Sequence, residues 1–296
     1  MQSLNFKNIS IDLLPSEDIE IEACLLRLDK IHPVISGNKW FKLRFYIEEA
    51  IANKKSTVLT YGGPWSNHIV ATAAACKLNG LQSIGMIRGE RPAQFSSTLT
   101  SAMDYGMKLN FLTRADYKKR HIPINLLESP EIYTINEGGY GVTGALGAAS
   151  IGDCYKKDDF THICCAVGTG TMMAGLIKSA LPGQEVVGIS VLKNNTQLDE
   201  EVKVLLADSE KTKPYKIIHT YHFGGYAKYQ PALTDFMNDF YQLTSIATDF
   251  VYTGKLLFGI YDLARKNYFP RGSRILVIHS GGLQGNNSLP ANTLIF

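Results

Sequence analysis

The chain has 296 residues, 45% of them hydrophobic and 19% charged, and its 30 Lys+Arg against 27 Asp+Glu leave a net charge of +3. At about 150 residues per domain that length is a prior for two domains or one large one, and the mix excludes a disordered or collagen-like chain. Charge spread this evenly points away from nucleic acid, whose binders concentrate a basic stripe, and no apolar run approaches the roughly 18 residues of a membrane span. Asp12, Glu17, Asp18, Glu20 and Glu22 punctuate the early sequence, so the basic-then-apolar layout of an export signal is not expected. The five cysteines then read as reduced thiols of a cytoplasmic protein.

Along the chain, strand, glycine turn and helix recur. A small turn at Ser36-Gly37 leads into a helix running to about Asn53. Residues 57–61 read as a strand ended by Gly62-Gly63-Pro64, and the Ala-rich 67–78 as a helix stopped by Gly80. Residues 83–87 form the next apolar run, followed by a helix over 95–105 and a strand over 108–112. A buried strand over 163–167 meets Gly168-Thr169-Gly170 and a helix over 172–180; strands over 185–190 and 274–279 follow. The alternation predicts an α/β fold with mostly parallel sheets covered by helices. Ligands in such sheets sit beyond the carboxyl ends of the strands, which are these glycine turns.

Four constellations lie there. Lys39 and Lys42 share a helix face; they are either solvated or a Schiff-base lysine with a phosphate-neutralising neighbour. Ser66 either caps the helix at Asn67 or helps its amides hold a carboxylate or phosphate. His68 reads as a structural, hydrogen-bonded histidine. Gly168-Thr169-Gly170-Thr171 is a phosphate cradle, but Met173 stands where a dinucleotide fingerprint needs glycine and no Gly-Lys-Ser/Thr follows. His162, Cys164 and Cys165 read as core rather than metal ligands, because adjacent strand residues face opposite ways. In the last third, Tyr226 follows Gly224-Gly225, Tyr252-Thr253-Gly254-Lys255 opens a helix, and His279-Ser280-Gly281-Gly282 ends a strand. Lys255 is expected on the surface of an early helical turn.

Taken in order, Ser36-Gly37-Asn38-Lys39, Lys42-Leu43, Ser66-Asn67-His68 with its Ala-rich helix, Gly168-Thr169-Gly170, Tyr252-Thr253-Gly254-Lys255 and His279-Ser280-Gly281-Gly282 resemble one family. It is that of the pyridoxal-phosphate-dependent D-cysteine desulfhydrases and 1-aminocyclopropane-1-carboxylate (ACC) deaminases. The resemblance runs from about Leu25 to Leu283. It implies a tryptophan synthase β-like fold (the type II fold of pyridoxal-phosphate enzymes) with two α/β domains. A smaller domain over 45–155 would be inserted into a larger cofactor-binding one made from 1–44 and 156–296. It also implies pyridoxal 5'-phosphate as cofactor, a small amino-acid substrate and a homodimer, with no metal, nucleic acid or membrane partner.

By position, the resemblance makes Lys39 the cofactor-linking lysine and the base for the α-proton. Lys42 and Gly168, Thr169, Gly170 and Thr171 become phosphate contacts. Asn67 is matched to the ring hydroxyl, Ser66 to the substrate, Thr253 to the cofactor, and Ser280 to the pyridine nitrogen. Tyr226 and Tyr252 become active-site tyrosines that could move a proton if the site lowers a phenol pKa. Three departures stand out: Met172 where the family's phosphate turn has a further hydroxyl, Trp65 before Ser66, and Glu137-Gly138-Gly139-Tyr140 in place of a Gly-Ser-Asn pattern.

The choice of reaction turns on few positions. ACC deaminases carry glutamate after the motif tyrosine, where this chain has Thr253, and glutamine at His68. A carboxylate near the pyridine nitrogen strengthens the electron sink that opening a cyclopropane needs. A hydroxyl suffices for α-proton removal and loss of sulfide. The expectation is α,β-elimination from D-cysteine to pyruvate, sulfide and ammonia. ACC deamination to 2-oxobutanoate is the alternative, followed by a non-catalytic relative that binds cofactor or amino acid; a nucleotide-dependent α/β protein is a more distant rival.

Overall fold

A computed structural model describes residues 8–15, 21–120, 126 and 129–296; Glu17, Asp18 and Glu20 lie outside them. In chain order the first half holds β1 (Ile11–Leu13), β2 (Glu22–Arg27), α1 (Asn38–Ala52), β3 (Thr57–Gly62), α2 (Asn67–Leu78), β4 (Gln82–Arg88), α3 (Ser97–Asp104), β5 (Met107–Leu112), α4 (Arg114–Lys118), β6 (Ile132–Ile135) and α5 (Val142–Ala149). The second half holds β7 (His162–Val167), α6 (Thr171–Ser179), β8 (Glu185–Ser190), α7 (Leu198–Lys203), β9 (Tyr215–Ile218), α8 (Pro231–Thr244), α9 (Thr253–Arg265) and β10 (Arg274–His279).

The strands form two sheets. One has the order β5-β4-β3-β6 and is wholly parallel. The other has the order β1-β2-β10-β7-β8-β9, parallel except for the edge strand β1. All the strands of the first lie between residues 57 and 135, while the second takes strands from both sides of that segment.

Every residue of β7 is buried, as a parallel strand covered on both faces must be. Cys164 and Cys165 point into separate cores, Cys164 among Leu25 and Val277, Cys165 among Leu26, Met173 and Leu276. That alternation is what the core reading of the pair expected. The small side chains Ala71, Ala73, Ala74 and Ala75 are fully buried on α2, so the helix packs on more than one side. β1, β2, β6, β9, α4, α5, α7 and α8 were not expected from the sequence. β1, β6 and β9 are three or four residues long, too short for a period to register.

Candidate functional site

A cavity of about 550 Å³ opens beyond the carboxyl ends of both sheets. Its walls are the segments that follow β3, β6, β7 and β10, the first turn of α1 and the loop carrying Tyr226. The glycine turns read from the sequence thus converge on one space.

Gly37 explains how α1 enters it. It has φ 61°, and a Cβ there would lie 1.8 Å from the carbonyl oxygen of Ser280. Only glycine tolerates both conditions. The two turns therefore touch backbone to backbone, and the Asn38 N–H donates to the Ser280 carbonyl at 3.2 Å. Lys39 and Ser280 consequently share one end of the cavity. Lys39 Nζ donates to Asn38 Oδ1 at 2.9 Å, and Lys42 Nζ to the Gly138 carbonyl at 3.2 Å. Lys42 is 5% exposed and Lys39 half-buried, and both line the cavity, so the pair faces it. Burial pulls Lys39 down to about 8 against the opposing charge of Asp249. Burial pulls Lys42 well below its ordinary value too, with Lys39 adding to the effect.

At the start of α2, Ser66 occupies the cap position but makes no capping bond with its side chain. Its hydroxyl lines the cavity, beside Trp65 and Asn67. Asn67 Nδ2 donates to the Gly282 carbonyl at 3.2 Å, bridging the two sheets' loops, while Asn67 Oδ1 is buried without a partner among the described residues. His68 is buried, as a structural histidine should be, and its tautomer follows from its neighbours. Thr60 Oγ1 donates to the Ile135 carbonyl at 2.8 Å, so it accepts from His68 Nε2–H, also at 2.8 Å. Nδ1 keeps its lone pair and has no partner among the described residues. Burial, then Lys39 and Lys42, hold the imidazole neutral by pushing its pKa well below the usual value.

Gly168, Thr169 and Gly170 line the cavity; Thr171 is fully buried and does not. Its hydroxyl shares a hydrogen bond of 3.0 Å with that of Thr169, so it steadies the turn from behind. Met172 lines the cavity where a hydroxyl was missing, and its sulfur accepts from Asn38 Nδ2 at 3.3 Å. The departure at 137–140 forms a 3-10 turn over Glu137–Gly139 beside the same cradle. A Cβ on Gly138 would reach Thr169 Cγ2 at 3.0 Å.

Tyr226 and Tyr252 meet edge to face with ring centroids 6.1 Å apart, both lining the cavity. Desolvation of the hydroxyl raises both phenols, Tyr252 well above the ordinary value with Tyr226 adding to it, although the Tyr226 residue as a whole is 45% exposed. The sequence reading looked for a lowered phenol; the opposite holds, so both stay protonated at neutral pH and can donate but not accept a proton. Thr253 does not line the cavity. Its hydroxyl donates to Asp249 Oδ2 at 2.6 Å. Asp249 also accepts from the N–H groups of Val251, Tyr252 and Thr253 at 3.0, 2.7 and 2.9 Å. Sequence reasoning passed over this buried carboxylate, whose only signal was an acid three residues before Tyr252. Lys255, expected on the surface, is fully buried. Its Nζ donates to the carbonyls of His222 and Gly225 at 2.9 and 2.8 Å, and burial lowers it to about 8.

The cavity therefore gathers Lys39, Lys42, Ser66, Asn67, Gly168, Thr169, Gly170, Tyr226, Tyr252 and Ser280, leaving Thr171 and Thr253 behind its wall. These residues fit pyridoxal phosphate. Two inward ammonium groups and a glycine turn with positive φ at Gly170 suit an anionic group, and the orphaned Asn67 Oδ1 awaits a polar partner.

The pyridoxal-phosphate dependent enzyme family matches residues 11–281. A Pyrococcus abyssi protein, provisionally named a 1-aminocyclopropane-1-carboxylate deaminase, is 31% identical over 302 residues, covering 93% of this chain and 89% of its own. The Arabidopsis thaliana mitochondrial bifunctional D-cysteine desulfhydrase/1-aminocyclopropane-1-carboxylate deaminase is 29% identical over 282 residues, 85% of this chain and 70% of its own. The solved structure of an ACC deaminase homologue superimposes with a TM-score of 0.78 at 26% identity, covering 94% of this chain and 90% of that one. That of O-ureido-L-serine synthase, at 12% identity and TM-score 0.73 over 98% of this chain and 94% of that one, shares the fold. Motifs, two-sheet architecture and these likenesses agree: the chain belongs to the pyridoxal-phosphate-dependent enzyme family and has its type II fold.

Proposed function

We propose that the protein eliminates the β-substituent of a small D-amino acid, converting D-cysteine and water to pyruvate, sulfide and ammonia. The observation that carries this reading is the acid content of the cavity wall. Glu137 is the only carboxylate lining it among the described residues, and it is paired with Arg120 at 2.9 Å. The Ser280 end has hydroxyls and amides instead.

Bound pyridoxal phosphate supplies the electron sink for the substrate's α-carbon. Lys42 and the 168–170 turn would hold its phosphate, Asn67 its ring hydroxyl and Ser280 its nitrogen side. The Ser66 hydroxyl and the first amides of α2 would orient the substrate carboxylate. The Lys39 amine, brought toward neutrality by burial, takes the α-proton. Tyr226 or Tyr252, kept protonated by a raised pKa, gives a proton to the departing sulfur. The raised phenols and the lowered lysine are suited to these opposite tasks.

One observation favours a second reading, ACC deamination to 2-oxobutanoate and ammonia. Asp249 stands directly behind Thr253 and shares its hydroxyl proton, so a carboxylate does lie one group away from the cavity. The names of the relatives cover both reactions.

We further propose a homodimer in the cytoplasm, with division into 1–44 plus 156–296 and 45–155. Among the described residues no helix is long and apolar enough to cross a membrane. The test is to add D-cysteine, D-serine, chloro-D-alanine and ACC to the purified protein with pyridoxal phosphate, assaying pyruvate and 2-oxobutanoate. Pyruvate from the first three supports elimination. 2-Oxobutanoate from ACC alone moves the reading to the second reaction, and no oxo-acid from any of them rejects both.

A further inference from the structure

The charges of the cavity do not balance for a substrate as small as cysteine. Lys39, Lys42, Arg88 and Lys228 all line it, against the single acid Glu137, which Arg120 already occupies. The reading above uses Lys39 for proton transfer and Lys42 for the cofactor phosphate, and assigns the substrate carboxylate to the start of α2. Arg88 and Lys228 are left over. Both are exposed, where the cavity meets solvent, and among the described residues neither side chain has a hydrogen-bond or ion-pair partner.

Their placement is informative. Arg88 ends β4, and β4 pairs in parallel with β3, whose own end leads to Trp65 and Ser66. Lys228 lies two residues after Tyr226, on the wall built by the six-stranded sheet. Arg88 comes from the four-stranded sheet and Lys228 from the loop on the other wall, so both walls bring a cation to the one cavity. An anionic group drawn to Lys228 would lie on the wall that carries Tyr226. Trp65, 38% exposed, adds an apolar face for a linking methylene.

We infer that the preferred substrate carries a second anionic group, a carboxylate or similar acid attached through its β-substituent, received between Arg88 and Lys228. This rests on the elimination reading for its chemistry. In that chemistry Lys39 removes the α-proton and the Cβ–S bond breaks with its electron pair on sulfur. The thiol leaves with a proton from a phenol, and water converts the remaining fragment to pyruvate and ammonia. The acid group stays on the departing thiol.

The test compares S-carboxymethylcysteine with its neutral isostere S-carbamoylmethylcysteine, in both enantiomers, on the enzyme loaded with pyridoxal phosphate. KM should be about tenfold lower for the acid, as one charge-assisted contact supplies. The ratio should fall to near one in Arg88→Met/Lys228→Met, and shrink as salt rises. A second readout is needed without turnover: quenching of tryptophan fluorescence, since Trp65 lines the cavity, as Lys39→Ala protein is titrated with the same ligands. Tighter binding of the acid supports the inference. Equal binding of acid and amide overturns it, as does an acid preference that survives the double substitution. Absence of pyruvate from these compounds and from D-cysteine would reject the elimination reading instead, while the binding measurement still decides the second anionic group.

Discussion

Lys255 Nζ donates to the carbonyl oxygen of Gly225 at 2.8 Å, and Gly225 is the residue before Tyr226. The same lysine is one helical turn from Tyr252, the other half of the tyrosine pair. A buried cation in α9 thus holds the backbone next to the Tyr226 member of that pair. Lys255→Met leaves two carbonyls without their donor, at about 1–3 kcal/mol each. We expect a lower Tm and a kcat reduced about ten- to a hundredfold, with KM changed less. Lys255→Arg should restore part of kcat; a kcat equal to wild type in Lys255→Met removes the positioning role.

Lys39 has an ordinary pKa of 10.5 when unfolded and about 8 when folded. At this position the unfolded chain holds more protons between those values, so the Lys39 contribution to stability rises with pH across that window, while the buried thiols of Cys76, Cys154 and Cys165, raised to about 12, act in the opposite sense above pH 9. At pH 7 the charged amine costs the fold on the order of 3 kcal/mol. Lys39→Met should raise the Tm of the cofactor-free protein near neutrality while abolishing turnover. Thermal melts of both proteins between pH 7 and 10.5 check this: a Tm advantage of Lys39→Met over wild type that grows as pH rises through 8–10 contradicts the sign.

Both phenols stay protonated because desolvation at the hydroxyl raises them. Tyr226→Phe and Tyr252→Phe should each lower kcat, and the larger loss identifies the proton donor, on the order of a hundredfold. Leaving groups that need no proton provide the control. Chloro-D-alanine should lose far less than D-cysteine in that variant, and equal losses would assign the phenol to positioning.

Thr253→Glu was the natural exchange toward an ACC deaminase on electronic grounds. The structure changes what to expect of it, because the new carboxylate would replace a hydroxyl that donates to Asp249 at 2.6 Å. Two buried carboxylates cannot both ionise at that distance. The single substitution should destabilise by several kcal/mol, whereas Thr253→Glu/Asp249→Asn should recover stability. Comparing their urea midpoints decides it, and a single variant as stable as wild type refutes the clash.

Gly37→Ala would drive a methyl group into the Ser280 carbonyl, 1.8 Å from an ideal Cβ. The backbone of two turns must part, since neither contact is a flexible side-chain end. We expect loss of the visible absorbance of bound pyridoxal phosphate even where far-ultraviolet circular dichroism shows a folded protein. Normal cofactor binding in this variant would show that the turns can separate harmlessly.

The long parallel strands and their helices were legible because burial writes itself as apolar runs, several of them ended by glycine: 67–78, 185–190 and 274–279 begin and end where the sequence placed them. What escaped had different causes. β2 pairs with β10 across most of the chain, a relation no local pattern carries. Lys255 looked like any lysine at a helix start, because the carbonyls that bury it arrive from residues 222 and 225. Asp249 was overlooked because its partners are backbone N–H groups, which have no sequence identity. The site residues came together where spacing and resemblance suggested, except that Thr171 and Thr253 act from behind the wall.

The pairing of Glu22 with Arg274 also has a consequence for how the protein is made. β2 leaves the ribosome early, yet its neighbour toward the sheet centre, β10, follows some 250 residues later, a wait of roughly 12–50 s at about 5–20 residues per second. Through that interval Leu25 and Leu26, both fully buried in the finished protein, lack one of the two strands that flank them. The 57–135 sheet can close in the meantime, since all of its strands are local. Nascent chains halted before residue 274 should accordingly contain one protected sheet and one exposed apolar strand, a natural target for chaperones.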